Sequence, residues 1–307
     1  MPLSALRRWL MNAKKIKSQF KILLGDDRSE HALAALALLE DLPLAPGTEV
    51  TVFRAFSPTQ STDLVLIEDG LNQTCNRLKQ KGLIAHPELL LGVPTVKFLR
   101  HAEEQGPDLI LIGAKGLRAS TGILVGGVAQ QVVEYAPCPV LVVRAPYQGL
   151  HEVMLVTDGS ASSQHALQFL GGLPLPAGAR LWVMHVLPPP PIPMLYVQTA
   201  LGSTPVAFQD LGEAAALAAK EEQEGRVLLE EALAALKAAG KPAKGILKRG
   251  DAATEIMAAV KEQHIDLLIT GSRGHSPIRE WMMGSVSRKL VHYSGCSVLV
   301  VRSRKAE

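Results

Sequence analysis

Three glycines and the serine after the last of them form the pattern in this sequence that is best suited to chemistry. Two residues separate Gly271 from Gly274, nine separate Gly274 from Gly284, and Ser285 comes next. Glycine lets the backbone approach a ligand closely and adopts positive φ without strain. The last predicted helix begins at Gly284 and Ser285, and a helix N terminus offers free N–H groups and a dipole that favour an anion. The spacing therefore predicts a site for a phosphate-bearing ligand.

The first half of the chain repeats this spacing without the hydroxyl groups. The corresponding residues are Gly113, Lys115, Gly116, Gly126 and Gly127. The first half has no hydroxyl at the two positions that Ser285 and Ser287 hold in the second. Losing two neutral hydrogen bonds of about 0.5–1.5 kcal/mol each would weaken phosphate binding by about tenfold or more, although the charge of Lys115 offers some compensation. We expect a weakened or empty site there.

Signatures of common nucleotide enzymes and hydrolases are absent from the sequence. It contains no Gly-x4-Gly-Lys-Ser/Thr loop, no Gly-x-Ser-x-Gly elbow, no set of kinase motifs and no Gly-x-Gly-x-x-Gly after the first strand. His185 and His275 have no carboxylate partner at a spacing that indicates acid–base chemistry. The sequence therefore assigns no catalytic residue and favours binding over catalysis.

The elements that must position these residues occur twice along the chain. Residues 138–144 recur as 296–302 at an offset of 158, whereas 42–44 recur as 173–175 at an offset of 131. The difference indicates an insertion of about 27 residues in the second copy, beginning at the proline run 188–193. Each copy is long enough to have its own core. We predict three parts: a basic N-terminal extension at 1–19, a first domain at 20–147 and a second domain at 151–303.

Within each copy, short apolar runs alternate with helical patterns. The expected strands are 21–24, 50–56, 84–91, 108–112 and 140–144 in the first copy and 153–157, 180–186, 245–248, 266–270 and 298–302 in the second. Runs of Val, Ile and Leu without polar alternation are typical of a parallel sheet that is covered on both faces. We predict an α/β protein of two tandem Rossmann-like, doubly wound domains, each with a five-stranded parallel sheet. Ligands bind such sheets beyond the carboxyl ends of the strands, where the glycine patterns fall.

In this strand–loop–helix context, the glycine pattern resembles the ATP-binding branch of the universal stress protein family, whose fold is like that of the adenine nucleotide alpha hydrolases. The resemblance covers nearly the whole chain and includes Thr157-Asp158-Gly159-Ser160 and His185-Val186. It implies that Asp158 lies near adenosine, that Val186 lines the pocket and that the glycine segment cradles ribose and phosphates. The implied site is Asp158, Val186, Thr270, Gly271, Arg273, Gly274, Gly284, Ser285, Val286 and Ser287. The implied weaker site of the first domain is Asp26, taken as the equivalent of Asp158, with Gly113, Lys115, Gly116, Gly126 and Gly127.

The resemblance implies a regulatory or stress-response protein that binds ATP or another adenine nucleotide. A slow ATP hydrolase of the same superfamily and a structural stress protein with unoccupied sites remain alternatives. The sequence supplies no cage of carboxylates near Gly284, so we expect any Mg²⁺ or Mn²⁺ to be held mostly by phosphates and water.

Residues 140–143 and 298–301 are predicted to be the last strands of their sheets, at exposed apolar edges that favour a partner. Family members commonly dimerise through this strand, so the resemblance implies that the two domains form an intramolecular pseudo-dimer with antiparallel edges. A homodimer of whole chains and an unknown protein partner are left open.

Composition excludes several other classes of protein. Of 307 residues 47% are apolar and 20% charged, which argues against global disorder. The net charge of +3 and the 4% of aromatic residues argue against nucleic-acid binding. Residues 1–20 carry five basic residues and no acid, which suits either a frayed extension or a lipid anchor; we favour the extension and expect no membrane contact. Three scattered cysteines favour a reducing compartment, and we expect a cytoplasmic location.

Overall fold

The structure of the protein, a computed structural model, describes residues 20–56, 64–116, 125–189, 211–274 and 282–302. The predicted N-terminal extension 1–19 lies outside these residues, as do 190–193 of the proline run. Within the described ranges, no helix is both long and apolar enough to span a bilayer.

Strands and helices alternate through both halves of the chain. The first half contains β1 (Lys21–Gly25), α1 (Glu30–Asp41), β2 (Glu49–Phe56), α2 (Leu64–Gln80), β3 (Ile84–Leu91), α3 (Pro94–Gln105), β4 (Leu109–Gly113), α4 (Gly127–Tyr135) and β5 (Val140–Val143). The second half contains β6 (Glu152–Val156), α5 (Ala161–Gly172), β7 (Arg180–Leu187), α6 (Leu211–Ala238), β8 (Ala243–Arg249), α7 (Ala252–Glu262), β9 (Leu267–Gly271), α8 (Ser285–Tyr293) and β10 (Ser297–Val301). Every predicted strand is present, and its ends differ from the prediction by two residues or fewer.

The strands form one sheet in the order β3-β2-β1-β4-β5-β10-β9-β6-β7-β8. Within each half all neighbouring strands are parallel, and the order reverses between β1 and β4 and between β6 and β9. Alternate residues of a strand enter different apolar cores: Ile22 and Leu24 belong to one cluster and Leu23 to the other. Both faces of the sheet are therefore covered by helices, which confirms the predicted doubly wound fold.

The two halves join where β5 pairs antiparallel with β10. Leu141 lies opposite Leu299 and Val142 opposite Val298, and all residues of both strands are buried. An unpaired strand of this kind would leave a row of N–H and C=O groups and an apolar surface in water. The pairing of β5 with β10 satisfies these hydrogen-bonding groups and buries the apolar surface, and it confirms the predicted intramolecular pseudo-dimer.

Candidate functional site

The glycine pattern of the second half lies where the strand order reverses, between β6 and β9. Gly271 is the last residue of β9, and Asp158 is the second residue after the end of β6. The two strands are parallel neighbours, so the loops that follow them leave the same edge of the sheet. A reversal of this kind is the place where doubly wound sheets bind ligands.

Asp158 is packed directly against the second glycine of the pattern. Its Oδ1 accepts the amide N–H of Ser160 at 3.0 Å, which orients the carboxylate. A Cβ atom on Gly274 would lie 2.6 Å from the other oxygen, Oδ2, although Gly274 itself is exposed. Any side chain at residue 274 would therefore displace the carboxylate of Asp158, which is half-buried.

The N terminus of α8 faces the same loop. Gly284 is the N-cap residue; its N–H donates to the carbonyl of Ser272 at 2.8 Å, and its added Cβ would lie 3.4 Å from the Cα of Arg273. No side chain among the described residues caps this helix, and Ser285 at its first position is exposed. Because the first N–H groups of a helix have no partner within it, this end offers amide donors and the positive end of the dipole.

Two hydroxyl groups that the sequence places at the site are buried and bound to the backbone. Ser287 Oγ donates to the carbonyl of Gly271 at 2.7 Å, and Thr270 Oγ1 donates to the same oxygen at 3.1 Å. Both residues are buried, and the bond from Ser287 ties α8 to the end of β9. Of the two serines in the helix, Ser285 is the exposed one, while the neighbouring Val286 is half-buried.

Gly271 is required by packing. A Cβ there would lie 2.7 Å from the backbone and Oγ of Ser162, so the first turn of α5 rests on the end of β9. Ser162 Oγ also accepts the amide N–H of Arg273 at 3.2 Å. Gly113 meets the backbone of α1 in the same way, at 2.7 Å. The first glycine of each pattern thus sets the distance between helix and strand.

The carboxyl end of β7 lies on the same side of the sheet as the carboxyl ends of β6 and β9. Val186 is half-buried there and packs against the apolar core. His185 Nδ1 is 2.8 Å from the carbonyl oxygen of Thr157, the residue before Asp158. This hydrogen bond gives His185, to which the sequence assigns no role, a part in holding the loop that carries Asp158.

The structure corrects one residue of the predicted site in the first half: the equivalent of Asp158 is Asp27 and not Asp26. Asp27 Oδ1 accepts the amide N–H of Ser29 at 3.0 Å, as Asp158 does from Ser160. A Cβ on Gly116 would lie 2.5 Å from Asp27 Oδ2, which repeats the contact at Gly274. The offset of 131 that relates residues 42–44 to 173–175 also relates these two aspartates.

Asp26 lies one position earlier and is turned into the protein. It is buried, and its carboxylate accepts the hydroxyl of Thr74 at 2.6 Å and the amide N–H of Arg28 at 2.9 Å. These bonds link the end of β1 to α2. Asp26 therefore stabilises the loop after β1 through hydrogen bonds within the protein.

The other predicted residues of the first half repeat the arrangement of the second. Gly126 donates its N–H to the carbonyl of Ala114 at 2.7 Å, and Gly127 is the exposed first residue of α4. The carbonyl of Lys115 accepts the hydroxyl of Ser29 at 3.0 Å. The backbone arrangement around the glycine pattern is thus the same in both halves.

The two halves differ where the loop after the first strand of each half meets the helix that covers it. In each half one of the two contacting residues is glycine and the other is large, but they are on opposite sides of the contact. In the second, Gly159 has φ +80° and an added Cβ would meet the Leu228 side chain of α6 at 3.2 Å. In the first, Arg28 holds the same position with φ +64°, and its Nη1 donates to the carbonyl of Gly70 on α2 at 3.3 Å and to Gln73 at 3.2 Å. Arg28 is not predicted from the sequence as a functional residue, and its side chain fixes a cation between the loop after β1 and α2.

Comparisons with known proteins agree with this architecture. A model of the Universal stress protein family matches the chain twice, at residues 20–144 and 149–302. Universal stress protein YxiE of Bacillus subtilis is 32% identical over 152 residues, which are 50% of this chain and 99% of that protein. Universal stress protein Slr1230 of Synechocystis is 28% identical over 197 residues, 64% of this chain and 58% of that protein. The crystal structure of a universal stress protein from Archaeoglobus fulgidus shares the fold with a TM-score of 0.60 at 20% identity, over 94% of this chain and 97% of that one.

Proposed function

The chain belongs to the universal stress protein family, and from that premise we propose that its second domain binds ATP or another adenine nucleotide in a regulatory, stress-response role. The observation that carries the proposal is the contact between Asp158 and Gly274, which holds a carboxylate beside the uncapped N terminus of α8. The carboxylate can accept hydrogen bonds from a hydroxyl or amino group of the ligand. The amides of the helix N terminus next to it can donate to phosphate oxygens.

Each part of the site has a distinct role in this proposal. Asp158 and the apolar side chain of Val186 would bind the nucleoside. The Gly274 amide, the first amides of α8, the Ser285 hydroxyl and the Arg273 side chain would bind the phosphates. Ser287 would position α8, because its hydroxyl is committed to the Gly271 carbonyl, and Thr270 would support the end of β9 that receives this bond.

The first domain would bind the same ligand more weakly. The hydroxyl of Ser287 is bound to the backbone, so only that of Ser285 is exposed. The first domain has Gly127 at the position of Ser285 and therefore lacks this hydroxyl. One neutral hydrogen bond of about 0.5–1.5 kcal/mol corresponds to about a 2- to 13-fold difference in affinity. Lys115 of the first pattern is matched by Arg273 of the second, so charge favours neither domain. The expected difference is smaller than the sequence alone suggests because Ser287 is bound to the backbone and only one hydroxyl is left for the ligand.

A divalent cation would accompany the nucleotide. Among the residues that the structure describes, no group of three His, Cys, Asp or Glu side chains is placed to hold a metal ion. We therefore expect Mg²⁺ or Mn²⁺ to be held through the phosphates and water.

The test is to purify the protein and identify any nucleotide that co-purifies by mass spectrometry, then to measure Mg·ATP binding by calorimetry. Binding that is tighter in the second domain supports the proposal. Absence of any adenine nucleotide binding would favour the structural protein with empty sites. Steady release of phosphate over hours would favour the slow hydrolase.

A further inference from the structure

The helix whose N terminus faces the site is held at its other end by the other domain. Arg144, the residue after β5 in the first domain, reaches the last turn of α8 in the second. Its Nη2 donates to the carbonyl of Val291 at 2.9 Å and to that of His292 at 3.3 Å. Its amide N–H also donates to Ser297 Oγ of β10 at 3.1 Å. Arg144 is therefore attached to the second domain by both its backbone and its side chain.

Arg302 makes the equivalent contact in the opposite direction, from the second domain to the first. It follows β10 in the second domain, and its Nη2 donates to the carbonyls of Val133, at 3.1 Å, and Glu134 in the last turn of α4. α4 is the helix whose N terminus carries the glycines of the first-half site. Both arginines are half-buried, so water competes little for their hydrogen bonds. Each site therefore has its helix held at the C terminus by an arginine of the opposite domain.

The last carbonyls of a helix have no partner within it, and a cation there stabilises the helix through its dipole. α8 has nine residues, so it is about 13 Å long and moves as one short rod. Its N-terminal half is held by the bond between Ser287 and Gly271, and its C-terminal end is held by Arg144. The direction of the free N–H groups at Ser285 depends on both attachments.

We propose that Arg144 is a positioning residue for the nucleotide site of the second domain, although it belongs to the first. It orients α8 from the far end, because its guanidinium binds the carbonyls of the last turn and its positive charge stabilises the negative end of the helix dipole. This inference rests on the proposed function. Because coupling between two equilibria is reciprocal, nucleotide in the second domain would in turn strengthen its attachment to the first.

The test compares Arg144→Ala with Arg144→Lys in the full chain by two measurements. Calorimetry with Mg·ATP should show an affinity about 3- to 10-fold lower for Arg144→Ala, with partial rescue by lysine, which keeps the charge but loses the fork of donors. Hydrogen exchange of the nucleotide-free protein should show faster exchange at the end of α8 in Arg144→Ala. Arg302→Ala should instead accelerate exchange in α4.

Arg302→Ala is the control for the site of the second domain, because it removes the equivalent hydrogen bonds across the same boundary, to α4, and leaves the α8 carbonyls bound. An equal loss of affinity in this control would overturn the proposal, since the effect would then belong to the domain boundary in general. Unchanged affinity and unchanged α8 exchange in Arg144→Ala would overturn it as well. If the wild type binds no nucleotide, the proposed function fails, and the exchange measurement alone decides whether Arg144 holds α8. Should the alanine variant not fold, Arg144→Lys and Arg144→Gln carry both measurements.

Discussion

The carboxylate of Asp158 and the backbone of Gly274 are in such close contact that a Cβ atom on residue 274 would lie 2.6 Å from Oδ2. The two residues are more than a hundred positions apart in the chain and meet because β6 and β9 are parallel neighbours. Because Gly274 is exposed, a change there alters the site without disturbing the core.

Gly274→Val is therefore expected to displace Asp158 and to weaken nucleotide binding with little change in stability. Loss of one hydrogen bond to a charged group, about 1.5–3 kcal/mol, corresponds to about a 10- to 150-fold loss of affinity. Calorimetry with Mg·ATP and a thermal unfolding curve measure the two effects. Gly116→Val, which makes the same change beside Asp27, serves as the matched control and should leave the tighter site intact. Retained affinity in Gly274→Val would show that Asp158 does not contact the ligand.

Ser285→Ala and Ser287→Ala should separate a ligand contact from a structural bond. Ser285 is exposed, so its alanine variant should bind ATP about 2- to 13-fold more weakly and unfold at the same denaturant concentration. Ser287 is buried and donates to Gly271, so its variant should lose about 1 kcal/mol of unfolding free energy. Calorimetry and denaturant titration on both proteins check this. Equal behaviour of the two variants would contradict the roles assigned here.

Replacing Val142 and Val300 with lysine should separate the two domains. Both side chains are buried in the antiparallel pair of β5 and β10, where a charged group cannot be solvated. Small-angle scattering should then show a longer particle, while circular dichroism of each domain persists. Val93→Lys, at an exposed position, is the control. A particle that stayed compact would mean that the domains meet through another surface.

The thiol of Cys296 should be unreactive in the native protein. Burial raises its pKa to about 11, so little thiolate forms at pH 8. Alkylation followed by peptide mapping should label Cys296 slowly in the native state and rapidly in guanidinium. The raised pKa also has a consequence for stability: the contribution of this group is complete below the unfolded thiol pKa, about 8.5, and is lost as pH rises through about 11. Rapid native labelling at pH 8 would show that the strand end opens readily.

Binding of Mn²⁺ should require nucleotide. The described residues contain no three-membered group of metal-ligating side chains, so the phosphates must supply the charge. Calorimetric titration of Mn²⁺ into nucleotide-free protein should give no heat of binding, and the same titration with ATP present should give one. Binding of Mn²⁺ without nucleotide would indicate a protein site and contradict this expectation.

The sequence by itself determined the duplication, the ten strands and the edge through which the two halves meet. These follow from local information, since runs such as Val140–Val143 must be buried on both faces and at an open edge must find a partner. The glycine spacing likewise predicts that the glycine loops lie together on the carboxyl side of the sheet, because parallel strands deliver their following loops to one side.

Only the tertiary structure decided which side chains face the candidate site and which are bound within the protein. Asp26 and Asp27 are chemically identical neighbours, and the path of the loop after β1 turns one toward Thr74 and the other toward Gly116. Ser285 and Ser287 differ because one faces solvent and the other meets the carbonyl of Gly271. In the sequence Arg144 is the last residue of a predicted strand, and its partners on α8 lie nearly 150 residues further along the chain. The physical reason is the same in each case: a polar side chain takes its role from the groups that folding brings within hydrogen-bond distance, and those groups are distant in the sequence.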